Sequence, residues 1–243
     1  MLGFLQAGLC ALTLAVPSAL AAAGQLVEVT NYGANPTGVG MFVYKPAKLA
    51  NPTPLIVAMH YCTGTAQAYF SGTQYANLAD THGFIVVYPD APDSGGCWDV
   101  HTNATLTHNA GGDSLGIVSQ VRFAIANYGV DPTLVFATGT SSGAMMTNVL
   151  MGAYPDVFKA GSAFSGVPYG CFAGPDMWNS QCSTGQLIKT PQQWVSQFCD
   201  RMWRHLTGRC RVIKFAADSP ASPERAPSSS SGMALREYES KSG

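Results

Sequence analysis

Charge is scarce in this chain. Lysine and arginine number 13 and aspartate and glutamate 14 among 243 residues, for a formal net charge of −1. That balance offers no basic surface for nucleic acid and no attraction to an anionic membrane. Hydrophobic residues at 47% exclude a chain that is disordered throughout, and the length suits one α/β domain with a sizeable core. Long apolar runs are also missing, with one exception, Leu2 to Leu20. It has no Lys or Arg ahead of it, but Pro17, its short length and the small-x-small pattern Ala19-Leu20-Ala21 read as a cleaved secretory signal over residues 1–21. The histidines show no His-x-x-x-His spacing, and there is no internal repeat. The expectation is a secreted, extracellular monomer with no metal, no organic cofactor, no nucleic-acid partner and no membrane anchor.

Cysteine is limited to seven residues, of which Cys10 falls in the signal and Cys199 and Cys210 fall near the C-terminus. Cys62, Cys97, Cys171 and Cys182 remain, and four cysteines in a secreted domain suggest two disulfides with three pairings open. Cys171 and Cys182 share one Gly/Pro-rich loop and form a natural pair, which leaves Cys62 with Cys97; buried free thiols are the alternative. Asn103-Ala104-Thr105 is a glycosylation sequon.

Buried strands and helices alternate along the middle of the chain. Val39 to Tyr44 is strand-like, and Pro54 to Met59 and Phe84 to Tyr88 are continuous apolar runs of buried-strand length. Gln74 to His82 and Ser114 to Asn127 have helical spacing, the second with Leu115, Val118, Val121, Phe123, Ile125 and Ala126 on one side and Asp113 and Ser114 in N-cap position. Thr133 to Thr138 and Phe158 to Gly166 are further strands, with a helix from Ala144 to Met151 between them. Such alternation predicts a mostly parallel sheet.

The chemistry gathers at Gly139-Thr140-Ser141-Ser142-Gly143, which sits between the strand ending at Thr138 and the helix from Ala144. A Gly-x-Ser-x-Gly string on a strand-to-helix turn is a nucleophile elbow, with Ser141 as nucleophile of acyl transfer; a chemically inert turn is the bland alternative. In this arrangement the Ser142 N–H supplies one half of an oxyanion hole. A loop after an early strand supplies the other, and Met59-His60-Tyr61-Cys62-Thr63-Gly64-Thr65 assigns it to the Cys62 N–H, with His60 holding the loop by hydrogen bonds. The acid and base should follow the Ser in the chain. His60, His82, His101 and His108 all precede Ser141, and the following Asp200 and His205 are too close together to come from loops after two different strands. Trp98 and Trp178, both in loops, are candidates for stacking on sugar rings, with core packing as the alternative.

Several stretches together resemble the fungal acetylxylan esterases of carbohydrate esterase family 1. They are Met59 to Ala66, Gly95-Gly96-Cys97-Trp98-Asp99, Ala110-Gly111-Gly112-Asp113-Ser114, Gly139 to Met146 and Phe164-Ser165-Gly166-Val167-Pro168. The likeness runs from about residue 26 to Phe198 and extends to feruloyl esterases and polyhydroxybutyrate-depolymerase-like enzymes. It implies an α/β-hydrolase fold, a Ser-Asp-His triad with Ser141 as nucleophile, and acetyl esters of xylan as substrate. Feruloyl or other carboxylic esters are the alternative within that class.

Past Phe198 the sequence departs from the family. Residues 1–198 contain five of the 13 Lys and Arg, and the last 45 residues contain the remaining eight, together with Pro220, Pro223, Pro227 and a Ser228-Ser229-Ser230-Ser231-Gly232 tract. The family's Gly-x-Ala-Asp-like and Gly-x-Gly-His-like turns do not occur there, and Phe215-Ala216-Ala217-Asp218 matches the first only superficially. The expectation is a hydrolase domain over 22–198 without its last strands, a disordered tail over 199–243 and a triad lacking acid and base. Such a change of character reads as a frameshift, a retained intron or a wrong gene boundary. A non-catalytic, xylan-binding or truncated product is then the reading from another class.

Overall fold

The computed structural model describes residues 23–202. Six strands form one sheet in the order β1-β2-β4-β3-β5-β6: β1 (Leu26–Glu28), β2 (Gly40–Tyr44), β3 (Thr53–Met59), β4 (Ile85–Asp90), β5 (Val130–Thr140) and β6 (Ala160–Phe164). Pairing from β4 through β3 and β5 to β6 is parallel, whereas β1–β2 and β2–β4 are antiparallel. The chain thus has the mostly parallel α/β-hydrolase architecture expected.

Burial explains the central strands. Leu55, Val57, Ala58 and Met59 of β3 and Ile85 to Tyr88 of β4 are all fully buried, because helices cover both faces. One layer contains α3 (Gly112–Tyr128) and α4 (Ser142–Ala153), which cover Leu55, Val57, Met59, Val135 and Ala137. The other contains α1 (Ala66–Gly72) and α2 (Tyr75–His82), which cover Ala58, Val86 and Tyr88 with Tyr69 and Ala79. Short α5 (Ser180–Ser183) and α6 (Pro191–Met202) follow β6. The α6 helix runs past the composition change at Phe198, and its Gln197 donates to the Gly170 carbonyl at 2.9 Å.

Three expectations are corrected. Helix α1 was not foreseen; Thr65 caps it by accepting from the Ala68 N–H at 3.1 Å, and only Ala66 and Tyr69 of its residues are buried. Helix α3 buries Ile117, Val118, Val121, Ala124 and Tyr128, while Ala126 is exposed and Leu115, Phe123 and Ile125 are half-buried. Its N-cap is Gly111, without a side-chain bond, and Asp113 and Ser114 are buried inside the first turn. Their polar atoms reach sideways instead: the Ser114 hydroxyl donates to the Thr105 carbonyl at 2.7 Å, and Asp113 Oδ2 accepts from the Asp99 N–H at 2.9 Å. Both disulfides are Cys62–Cys97 and Cys171–Cys182, as expected. No helix among the described residues is long and apolar enough to cross a membrane. The signal (1–21), most of the 199–243 segment and His205 lie outside the described residues.

Candidate active site

Ser141 stands between β5 and α4 with φ 54° and ψ −115°, a left-handed backbone that costs a non-glycine residue about 1–3 kcal/mol. The surroundings hold it there. Its N–H donates to the Phe164 carbonyl at the end of β6 (2.9 Å), and its own carbonyl accepts from the Met145 N–H (3.0 Å). Gly143 is required by close approach, since a Cβ there would lie 2.2 Å from the Met59 carbonyl oxygen and 2.6 Å from that of His60. The start of α4 is therefore pressed onto the end of β3. Ser141 itself is exposed, while Ser142 is buried.

The same contact brings the loop after β3 beside the elbow, because Met59 pairs with Gly139 in the sheet. His60 is completely buried in that loop. Its Nδ1 lies 2.8 Å from the Tyr61 carbonyl and its Nε2 3.1 Å from the Ala91 N–H, so the neutral ring donates from Nδ1 and accepts at Nε2. Burial lowers its pKa below the ordinary value, against the raising effects of the Tyr61 carbonyl and the Asp90 carboxylate 3.4 Å away. His60 thus has the loop-holding role expected of it. Cys62 follows two residues on, tied to Cys97, and the Thr63 N–H donates to the Gly95 carbonyl at 2.9 Å.

Trp98 is 1% exposed, which settles it as core rather than sugar platform. Its N–H donates to Ser142 Oγ at 2.9 Å and its indole Nε1–H to the His60 carbonyl at 2.8 Å. Trp178 differs, being 63% exposed with its ring edge-on to Phe172 at 5.4 Å, on the loop closed by Cys171–Cys182. Beside Ser141, a cleft of about 370 Å³ is lined by Tyr69, Tyr75, Leu78, Thr140 and Phe164, among others. Tyr69 and Tyr75 fix two of its walls through hydroxyl contacts to Thr140 (3.0 Å) and Thr138 (3.2 Å). Burial raises the Tyr69 pKa, so its phenol stays neutral and serves only as a hydrogen-bonding group.

Of the remaining described histidines, two pair with aspartates. His82 ends α2 in an exposed turn, His101 Nδ1 lies 3.1 Å from Asp99 Oδ1, and His108 Nε2 lies 3.1 Å from Asp156 Oδ1 with its ring on Tyr154. Asn103 of the sequon is exposed. Among the described residues no group of three or more His, Cys, Asp or Glu side chains could hold a metal ion. The cleft residues and the two Trp98 bonds carry no motif. The signal that could have found Trp98 is its place directly after Cys97, the disulfide partner of Cys62.

Comparison with known proteins places this geometry in a lineage. Acetylxylan esterase A of Aspergillus oryzae is 52% identical over 198 residues, covering 77% of this chain and 64% of its own length. Acetylxylan esterase A of Emericella nidulans is 50% identical over 208 residues, covering 83% and 68% respectively. The chain thus spans about two-thirds of the length of the curated relatives it matches. The solved acetyl xylan esterase from Aspergillus awamori superposes with a TM-score of 0.73 at 49% identity, over 76% of this chain and 69% of that one. The family described as Esterase PHB depolymerase matches residues 39–175, more than half of the chain. The chain is a member of that esterase family, on the branch whose relatives are named acetylxylan esterases.

Proposed function

We propose that this chain is a secreted serine esterase that removes acetyl groups from acetylated xylan. Ser141 is the nucleophile, and the N–H groups of Cys62 and Ser142 receive the oxyanion. The observation that carries this reading is the exposed, strained Ser141 at the tip of the β5–α4 turn, next to Thr140 of the cleft of about 370 Å³. Relatives at about 50% identity that are named for acetylxylan support the substrate, and the exposed Trp178 supports stacking on a sugar ring. The two disulfides and the leading apolar segment support export, and the sequon Asn103 is exposed.

The base sets the rate. A serine hydroxyl has a high pKa and needs a positioned general base. His60 is buried and holds its loop, His101 and His108 lie against Asp99 and Asp156, His82 is exposed at the end of α2, and His205 lies outside the described residues. We infer that turnover by this chain rests on binding and the oxyanion hole, which leaves it slower than a full triad by up to about 10⁶-fold. The test is acetate release from acetylated xylan by the secreted full chain, beside its Ser141→Ala variant and with imidazole added as a soluble base. Slow release, raised by imidazole and abolished in the variant, is the expected outcome. Release that survives Ser141→Ala would remove the elbow from the reaction. Fast release indifferent to imidazole would show that a base is in place.

A further inference from the structure

The oxyanion hole proposed above draws its donors from two separate loops, and a third loop joins them. Residues 95–99 touch both sides. Cys97 is bonded to Cys62, the donor on the first loop. Trp98, the next residue, sends its backbone N–H to Ser142 Oγ at 2.9 Å, on the side chain of the second donor. Its indole N–H goes to the His60 carbonyl at 2.8 Å, two residues before Cys62, and its ring lies 5.0 Å from the His60 ring. All three residues are buried, with His60 at 0%, Trp98 at 1% and Ser142 at 4% exposure, so neither bond competes with water. Behind Trp98, the Asp113 carboxylate accepts the Asp99 N–H at 2.9 Å and fixes the loop to α3.

We propose that Trp98 is a positioning residue of the oxyanion hole, holding the Cys62 loop and the Ser142 turn at one spacing through its two N–H groups. The inference rests on the esterase reading but names a job that reading does not contain. An oxyanion hole works only if its donors already stand about 2.7–3.1 Å from where the charge develops. Two donors on independent loops would drift, and a displacement of about 1 Å at a reacting centre can cost on the order of 10²-fold in rate. The Ser142 hydroxyl acts here as the acceptor that fixes its own backbone N–H, so the second serine of Ser141-Ser142 has a task distinct from nucleophilic attack.

Two variants cut the two bonds separately. Trp98→Phe keeps most of the ring and removes the indole donor, while Ser142→Ala removes the acceptor and keeps the backbone N–H of the hole. The first measurement is kinetics of the full chain on p-nitrophenyl acetate, corrected for the rate of Ser141→Ala. We expect each variant to lower kcat by about tenfold or more with KM unchanged, and the pair to be non-additive. A merely structural role would lower thermal stability and leave kcat of the folded fraction intact. Unchanged kcat in Ser142→Ala overturns the proposal, and that variant stands if Trp98→Phe fails to fold. The second measurement is amide hydrogen exchange, which needs no turnover. The bonded amides of Thr63 and Trp98, which hold the three loops together, should exchange about tenfold faster in either variant, with Val57 and Val135 in the core unmoved. Without Ser141-dependent hydrolysis the esterase reading fails on its own, and exchange alone decides: unchanged rates at Thr63 and Trp98 sink the positioning role.

Discussion

The two flanks of Ser141 are built differently. Toward β3 and β4, His60, Trp98 and Ser142 are buried, Trp98 donates to both of the others, and the Ala91 N–H donates to the His60 ring. Toward β6, Ser162, Phe164, Ser165 and Gly166 are exposed, and the elbow is held by strand pairing and by the Phe164 carbonyl. In the proposed reaction the closed flank would carry the electrostatic half of ester hydrolysis, the part that works only when rigid and dry. The open flank carries the cleft where a substrate would lie. The difference teaches that three neighbouring loops at one end of the sheet can be locked together by buried polar bonds while the opposite flank of the same serine stays open.

The comparison breaks first at Gly143. A Cβ there meets backbone oxygens at 2.2 Å and 2.6 Å, which no side-chain rotation can relieve. We expect Gly143→Ala to lose about 3 kcal/mol or more of stability, read as a fall in melting temperature, together with all Ser141-dependent hydrolysis. An unchanged melting curve would mean that the elbow and the β3 end are not in contact. Phe164→Ala sharpens the opposite flank. With the side chain 52% exposed, its removal should barely move stability but should raise KM about fivefold, equivalent to ~1 kcal/mol of lost contact. An unchanged KM would take Phe164 out of the substrate path.

The smallest effect is the pH dependence of the closed flank. Burial holds the His60 pKa below its ordinary value of 6.5. Between that lowered value and about 6.5, the unfolded chain binds a proton that the folded one refuses, so stability rises with pH through this window. We expect the melting temperature to fall as buffer goes from about pH 7 to about pH 5. His60→Asn, which can still donate toward the Tyr61 carbonyl, should flatten that slope. Asp113 works in the opposite sense, because burial raises its pKa from 3.8 and favours the fold at lower pH. The difference between wild type and His60→Asn isolates the histidine.

Much of this was legible in the sequence wherever one physical rule dominated locally. Pro54 to Met59 and Phe84 to Tyr88 read as buried strands because both faces are covered and no polar residue interrupts them. The elbow read because close backbone approach demands small residues at Gly139 and Gly143. His60 read as structural because it precedes Ser141 in the chain. What stayed hidden depends on contacts distant in sequence. Trp98 has a loop's neighbours and looked free to stack on sugar, yet its indole is buried against a carbonyl 38 residues away. Asp113 had the local signature of a cap, but its carboxylate reaches across to Asp99 instead. Helix α1 has too few buried residues to show a period.

The central claim is that Ser141 stands ready for acylation on a preformed oxyanion hole, and intact-mass spectrometry with peptide mapping tests it most directly. The full chain and its Ser141→Ala variant would be incubated with excess p-nitrophenyl acetate and quenched in acid. Without a strong base both steps are slow, but p-nitrophenolate leaves without a proton, whereas deacylation must activate water and expel the serine oxygen. The acetyl-enzyme therefore builds up under excess activated ester. One acetyl group on the peptide containing Ser141, absent from the variant, is the result we expect. An unlabelled protein, or label that persists in Ser141→Ala, would contradict the account.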